Sequence, residues 1–121
     1  MSIQDKATQF IEELKASHYT AVLTGAGVST ASGIPDFRSS NGLYSKISPE
    51  TFDLNFFLNQ PQAYYQIACE HIHPLADKSP NVTHTMLAEL ERRNLVDMVI
   101  TQNIDGLHQK AGSINVIEFH G

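Results

Sequence analysis

Three short apolar runs dominate what this chain can fold into: YTAVLTG (Tyr19–Gly25), LVDMVITQN (Leu95–Asn103) and INVIEF (Ile114–Phe119). Each is rich in β-branched residues and ends in, or runs into, glycine or polar residues, the pattern of a short strand. The segments between them carry helical rather than alternating spacing. Strands separated by helices must be joined by right-handed crossovers, which makes the sheet parallel and the fold α/β. The first run has the composition of a parallel strand covered on both faces.

The helices are read from periodicity and stop signals. Ile3, Ala7, Phe10, Ile11 and Leu14 recur at helical spacing, which predicts an amphipathic helix from about Ile3 to Ala16. In SPNVTHTMLAELERRN, Ser79 reads as the N-cap and Pro80 as the first helical residue. Val82, Met86, Leu87 and Leu90 form its apolar face, and Arg92, Arg93 and Asn94 mark its end. A short helical piece, GLHQKAG, stops at Gly112. No strand is evident between Gly42 and Pro80; Pro49 and Pro61 each read as a first-turn residue opening a helix, and Pro74 and Pro80 interrupt the stretch after them. The triplet Asn81-Val82-Thr83 matches a glycosylation acceptor, but without a secretory signal it reads as a helix start.

Composition narrows the function classes. At 121 residues the chain has room for one domain or part of one, and 41% apolar against 17% charged residues is globular. Thirteen acids against eight bases, a formal charge of −5 and no basic run longer than Arg92-Arg93 argue against a nucleic-acid surface. Residues 1–15 lack the pattern of a secretory signal, and no run approaches the ~18–20 apolar residues of a membrane span, so no membrane partner is expected and the cytoplasm is the expected compartment. Cys69 is the only cysteine, which excludes an internal disulfide and a Cys-x-x-Cys knuckle. His71 and His73 are two apart and splay on a helix, so no metal site is expected from this chain. His18, His84 and His108 have no placement that marks them as reactive.

In an open parallel sheet, ligands bind beyond the carboxyl ends of the strands. Here those ends are Gly25-Ala26-Gly27, then Thr101-Gln102-Asn103 with Asp105 just beyond, and finally His120-Gly121. Polar residues scattered over most of the chain are therefore expected to meet at one rim. Gly25 and Gly27 permit a tight turn close to a pyrophosphate, and VSTAS can start a helix with free N–H groups. Thr30 stands where a dinucleotide fingerprint has its third glycine, so a plain strand-to-helix turn is the alternative. Pro35 disfavours helix at Ile34, which predicts an extended loop presenting Asp36, Phe37 and Arg38; a surface ion pair beside a core ring is the competing reading. Gln102 and Asn103 offer donor and acceptor together, and Asp105 can accept from a carboxamide, although Asn103 or Asp105 could instead cap the helix at Leu107. Histidine changes charge near neutrality, which makes His120 the candidate base.

GAGVSTASGIPDFR, PNVTHTML, TQNIDGLHQKAG and EFHG, in this order, make the chain resemble the N-terminal part of a sirtuin, the NAD-dependent protein-lysine deacylases. The resemblance implies a Rossmann-like parallel sheet flanked by helices over residues 1–42 and 81–121, with residues 43–80 a helical insertion belonging to a small domain. It implies NAD as cofactor, an acyl-lysine protein or peptide as substrate, and transfer of the acyl group to give nicotinamide and O-acetyl-ADP-ribose. Carried over by motif, Gly25, Ala26 and Gly27 line the pyrophosphate, and Ile34, Asp36, Phe37 and Arg38 belong to the cofactor loop. Gln102 and Asn103 hold the ribose, Ile104 and Asp105 form the nicotinamide pocket, and His120 is the general base, with Asn103 counted beside it as catalytic. Sirtuins that prefer acidic acyl groups carry a Tyr-x-x-Arg pair; Tyr64 and Tyr65 are followed instead by Ile67 and Ala68, which points to neutral acyl groups, acetyl first. A complete member continues into a four-cysteine zinc module and later strands, whose ligands are absent here. The expectation is a first strand with an open edge, and a chain that is inactive or needs a complementary C-terminal segment. The competing classes are a mono-ADP-ribosyltransferase, a hydride-transferring dehydrogenase and a catalytically silent NAD-binding fragment.

Overall fold

A computed structural model describes residues 1–121. The chain enters through helix α1 (Ile3–Ala16), which has the predicted bounds. Ser2 caps it: the Ser2 hydroxyl accepts from the Asp5 N–H while the Asp5 carboxylate accepts from the Ser2 N–H. Two orphan donors of the first turn are thereby paired.

Strands β1 (Ala21–Thr24), β2 (Met98–Thr101) and β3 (Val116–Glu118) form one sheet in the order β1-β2-β3, with both pairings parallel. This is the expected α/β class. Each strand is shorter than its apolar run because the flanking residues leave the ladder for turns. The register sets Thr24 opposite Thr101 and Thr101 opposite Glu118, so all three strands end level. Their amino ends are held by carboxylates: Asp97 accepts from the Thr20 N–H at 2.6 Å, and Glu91 accepts from the Ile114 and Asn115 N–H groups at 2.8 and 3.2 Å. Charge-assisted bonds of this kind fix where a strand starts.

The core lies where α1 and helix α4 (Val82–Arg92) pack on the sheet, around Leu14, Leu90, Val96 and Val99. Val99 is fully buried; a side chain so placed contributes about 1.5–3 kcal/mol. Two expectations fail here. β1 is not covered on both faces: Leu23 is 69% exposed, because it lies in register with Ile100 and Ile117 on the sheet face opposite the one where Val22, Val99 and Val116 meet the core. The face of α4 that turns inward carries His84, Leu87, Ala88 and Leu90, so Leu87 and Leu90 of the expected stripe pack on the core while Val82 and Met86 face solvent.

The cause of that rotation is the cap. Asn81, and not Ser79, is the N-cap, and Pro80 lies outside the helix. The Asn81 side chain accepts from the Thr83 N–H at 2.9 Å, and Nδ1 of His84 accepts from the Asn81 N–H at 3.1 Å, a capping box with histidine at the third position. The other end of the Asn81 amide donates to the Val28 carbonyl at 2.7 Å and to the Ser32 hydroxyl at 2.9 Å. One side chain thus starts α4 and ties it to the loop after β1.

Residues 43–80 contain helices only: α2 (Leu54–Asn59), capped by Asp53, then α3 (Pro61–His71) and short 3-10 turns, with Pro49 and Pro61 in first-turn positions as predicted. The short helix α5 (Leu107–Lys110) joins β2 to β3 and is followed by Gly112 at φ 106°. No helix is long and apolar enough to cross a membrane.

Replacing Asn81 with Ala removes the cap and both bonds to the preceding loop. Chemical denaturation of Asn81→Ala is expected to show a loss of about 1–2 kcal/mol, the upper range for a lost N-cap, with an unchanged m-value.

Candidate ligand site at the carboxyl ends of the strands

Beyond Gly25 the backbone forms a 3-10 turn, Ala26–Ser32, rather than an α-helix. Gly25 provides no side-chain cap, so the first N–H groups of the turn keep no side-chain partner. Gly33 closes it at φ 86°, a conformation glycine adopts without strain. This tighter winding brings Ser29 back beneath the ends of the strands, where it is buried.

Ser29 is the hub of the site. Its hydroxyl donates to Oδ2 of Asp105 at 2.6 Å and lies 3.3 Å from the donor nitrogen of Asn103 and 3.4 Å from Nε2 of His84. One donor and two acceptor positions exhaust a hydroxyl. The same Asn103 nitrogen donates to the Gly25 carbonyl at 2.9 Å. A carbonyl can only accept, so the nitrogen of Asn103 must face Gly25 and Ser29, which leaves the amide oxygen for a ligand hydroxyl. Asp105 is divided likewise: Oδ1 accepts from the Leu107 N–H at 3.0 Å. The carboxylate thus caps α5 and also borders the cavity beside Ser29, and each of its oxygens keeps a further lone pair. Gly106 stands between Asp105 and Leu107 at φ 68°.

Around this hub a cavity of about 630 Å³ is lined by Ala26, Ser29, Phe37, Tyr44, Phe52, Gln102, Asn103, Ile104, Asp105 and His120. The three strand ends do converge on one space, with His120 two residues beyond the end of β3. A neighbouring cavity of about 280 Å³ adds Asp36 and Arg38 to Ala26, Phe37 and Gln102. An apolar chamber of about 440 Å³ continues past Phe37, Ile104 and Asp105 toward Tyr64 and Leu75. Gly25, Gly27 and Ile34 line none of these three spaces; Ile34 and Asp36 border a shallow depression with Thr30 and Asn41. Asp36 also turns back on its own loop, accepting from the hydroxyl of Ser39.

The loop that carries Phe37 and Arg38 is held by backbone. Leu43 N–H donates to the Asp36 carbonyl at 2.7 Å and Tyr44 N–H to the Phe37 carbonyl at 2.9 Å. The crossing is so close that a Cβ on Gly42 would sit 2.7 Å from the Phe37 carbonyl oxygen. Phe37, Tyr44 and Phe52 then pack as a triangle of rings with centroids 5.4–6.1 Å apart, an aromatic wall for a planar group.

Sequence reasoning passes over Ser29, Tyr44, Phe52 and the two histidines behind the hub. His84 and His108 are both buried, their rings edge-on at 4.9 Å, and Nε2 of His108 meets the Thr24 hydroxyl at 2.9 Å. Burial lowers the pKa of His84, opposed by the nearby Asp105 charge. Burial, and then His84 itself, lower that of His108, again against Asp105. The one available signal for His84 is its place three residues after Asn81.

A sequence profile described as Sir2 family matches residues 25–121. The chain belongs to the Sir2 family. It is 52% identical to an NAD-dependent protein deacetylase of Thermotoga maritima over 96% of this chain and 47% of that protein. Against the NAD-dependent protein deacetylase of Saccharolobus solfataricus it is 52% identical over 91% of this chain and 44% of the relative. The chain therefore spans about half the length of the curated relatives it matches. A Sir2 variant solved with a deacetylated p53 peptide and 3'-O-acetyl ADP ribose superposes with a TM-score of 0.88 at 51% identity, over 92% of this chain and 45% of that one. A Sir2–p53 peptide–NAD+ structure gives 0.84 at 49% identity, over 93% and 45%.

Two buried histidines with lowered pKa values make stability fall with acidity. The unfolded chain takes up these protons near the ordinary value of 6.5 and the folded chain only at lower pH, so stability is full above that value and is lost as pH drops below it. Unfolding free energies measured from pH 8 to pH 5 are expected to decline by up to about 1.4 kcal/mol per pH unit for each histidine. Gly42→Ala should separately weaken the loop by about 1–3 kcal/mol, seen as faster amide exchange at Leu43 and Tyr44.

Proposed function

We propose that this sequence carries the nicotinamide, ribose and base subsites of an NAD-dependent protein-lysine deacylase, with acetyl-lysine in a protein or peptide as the substrate. The observation that carries the reading is the convergence of Asn103, Asp105 and His120 on one cavity around Ser29. The donor set suits NAD: an amide oxygen for ribose hydroxyls, carboxylate lone pairs for a carboxamide NH₂, and an aromatic wall at Phe37. Ala26 borders the cavities where a pyrophosphate would run, with Arg38 at its side. The names of the relatives, NAD-dependent protein deacetylases, agree with it.

NAD, when bound, would supply the reactive bond: the nicotinamide–ribose bond breaks, the acetyl oxygen bonds to that ribose carbon, and one water is consumed as the acetyl passes to the ribose and the lysine amine is released. Asp105 orients the carboxamide, and its anchoring by Ser29 and Leu107 N–H means it need not reorganise. The Asn103 oxygen positions the ribose. His120, in the cavity wall two residues beyond β3, takes the proton of a ribose hydroxyl. Phe37 and Ile104 line the same space and supply its apolar wall. Ile67 and Ala68 where an arginine would favour acidic acyl groups support a neutral acyl chain.

We further propose that turnover requires a complementary C-terminal polypeptide. Leu23 of β1 and Ile117 of β3 are exposed apolar residues on the sheet face opposite the core, and Phe119 just beyond β3 is exposed as well; a partner segment would cover them.

The test is to combine the chain with the C-terminal part of a relative and supply NAD and an acetyl-lysine peptide. Nicotinamide, deacetylated peptide and O-acetyl-ADP-ribose are the expected products, and His120→Ala should lower kcat/KM about a hundredfold to ten-thousandfold. ADP-ribosylated protein without deacetylation would indicate a transferase, NADH a dehydrogenase. Turnover by the isolated chain equal to that of the combination would refute the requirement for a second segment.

A further inference from the structure

The proposed chemistry leaves one buried, titratable group without a task. His84 projects from α4, an element that contributes no residue to the cavity wall, yet its ring is fully buried against the hub. Its bonding is directional. A backbone N–H can only donate, so the Asn81 N–H at 3.1 Å requires Nδ1 of His84 to be an unprotonated acceptor. In the neutral ring the proton is then on Nε2, which faces the Ser29 oxygen at 3.4 Å. With both acceptor positions of Ser29 occupied by His84 and Asn103, its own proton has one destination, Oδ2 of Asp105. The proton order thus runs Asn81 N–H to His84 Nδ1, His84 Nε2–H to Ser29, and Ser29 O–H to Asp105.

Flipping the His84 ring would present carbon at both bonds, and the edge-on ring of His108 stands against such a flip, itself moored to Thr24 of β1. The only buried side-chain nitrogen or oxygen atoms without a hydrogen-bond partner are Nδ1 of His108 and the Ser113 hydroxyl. A buried lone pair without a partner costs less than a buried N–H without one. The proton of His108 therefore belongs on Nε2, toward Thr24, and both rings are neutral. Charge on either ring would face the other imidazole, with Asp105 the one carboxylate acting on both.

We propose that His84 is a positioning residue for the Asp105 carboxylate, acting through the Ser29 hydroxyl, and that His108 locks the His84 ring in the orientation this requires. The inference deepens the reading of Asp105 as the carboxamide anchor and rests on it for its consequence in ligand binding. It does not rest on it for the proton order, which is a property of the chain without ligand.

Two substitutions separate positioning from packing. His84→Gln keeps a donor at the place of Nε2 and loses the acceptor toward Asn81; His84→Asn keeps an acceptor near the place of Nδ1 and loses the donor toward Ser29. In the 121-residue chain, amide exchange at Leu107, whose N–H bonds to Asp105, is expected to quicken about tenfold in His84→Asn and to stay within about threefold of the parent in His84→Gln, the range of one net hydrogen bond. Affinity for NAD, measured by calorimetry with the chain and its complementary segment, should show the same order, with thermal midpoints showing no such order. Long-range nitrogen–proton spectra of the unsubstituted chain should place the proton of both imidazoles on Nε2 at about pH 6.5, where an ordinary histidine is half charged. Equal Leu107 exchange in the two variants, or a proton on Nδ1 of His84, would overturn the proposal. Should neither variant fold, the spectra alone decide. The expected exchange and spectra in a chain that binds no NAD would uphold the positioning role and reject the deacylase reading.

Discussion

A single serine hydroxyl, with every hydrogen-bonding position filled, organises this half of the sheet rim. Ser29 receives Asn103 from the end of β2 and His84 from α4, and gives its proton to Asp105 from the turn before α5. Segments far apart in sequence meet on one oxygen. Because the hydroxyl has nothing left to offer, it is not itself a ligand group. Its effect is to leave the amide oxygen of Asn103 and the outer lone pairs of Asp105 as the unfilled acceptors facing the cavity.

Much of this is legible in the primary structure because the pattern is strong where backbone hydrogen bonding dominates. α1 has the bounds its periodicity gives, and the three apolar runs form parallel strands as expected, shorter than the runs and, at β1, open on one face. That polar residues from three strand ends share one space is a consequence of parallel topology alone. The helical character of residues 43–80 is readable from Pro49 and Pro61, whose fixed φ suits a first turn.

The features that escape such reading do so for a physical reason. Ser-Pro is a strong local signal and draws the N-cap of α4 to Ser79; Asn81 prevails because its side chain also bonds Val28 and Ser32 across the fold, a tertiary gain invisible to local propensity. The same bonds rotate α4, so the apolar stripe Val82 and Met86 faces solvent while a histidine goes inside. Ser29, Tyr44 and Phe52 carry no unusual local pattern; they acquire meaning only from the 3-10 winding after Gly25 and the backbone crossing at Gly42. Asp36 and Ile34, in contrast, are drawn to the site by motif, and the structure gives Asp36 a second use inside its own loop.

The level ending of the three strands has a mechanical meaning for whatever occupies the cavity. With Thr24, Thr101 and Glu118 side by side, the ladder works as a ruler that sets how far each loop projects. Sliding one strand by a single residue would move its loop about 3.3 Å along the axis and turn every side chain on that strand to the opposite surface. Asn103 and His120 would then miss each other's ligand atoms by more than a bond length, so tolerances at the rim are governed by the sheet interior, many ångströms from any reacting atom.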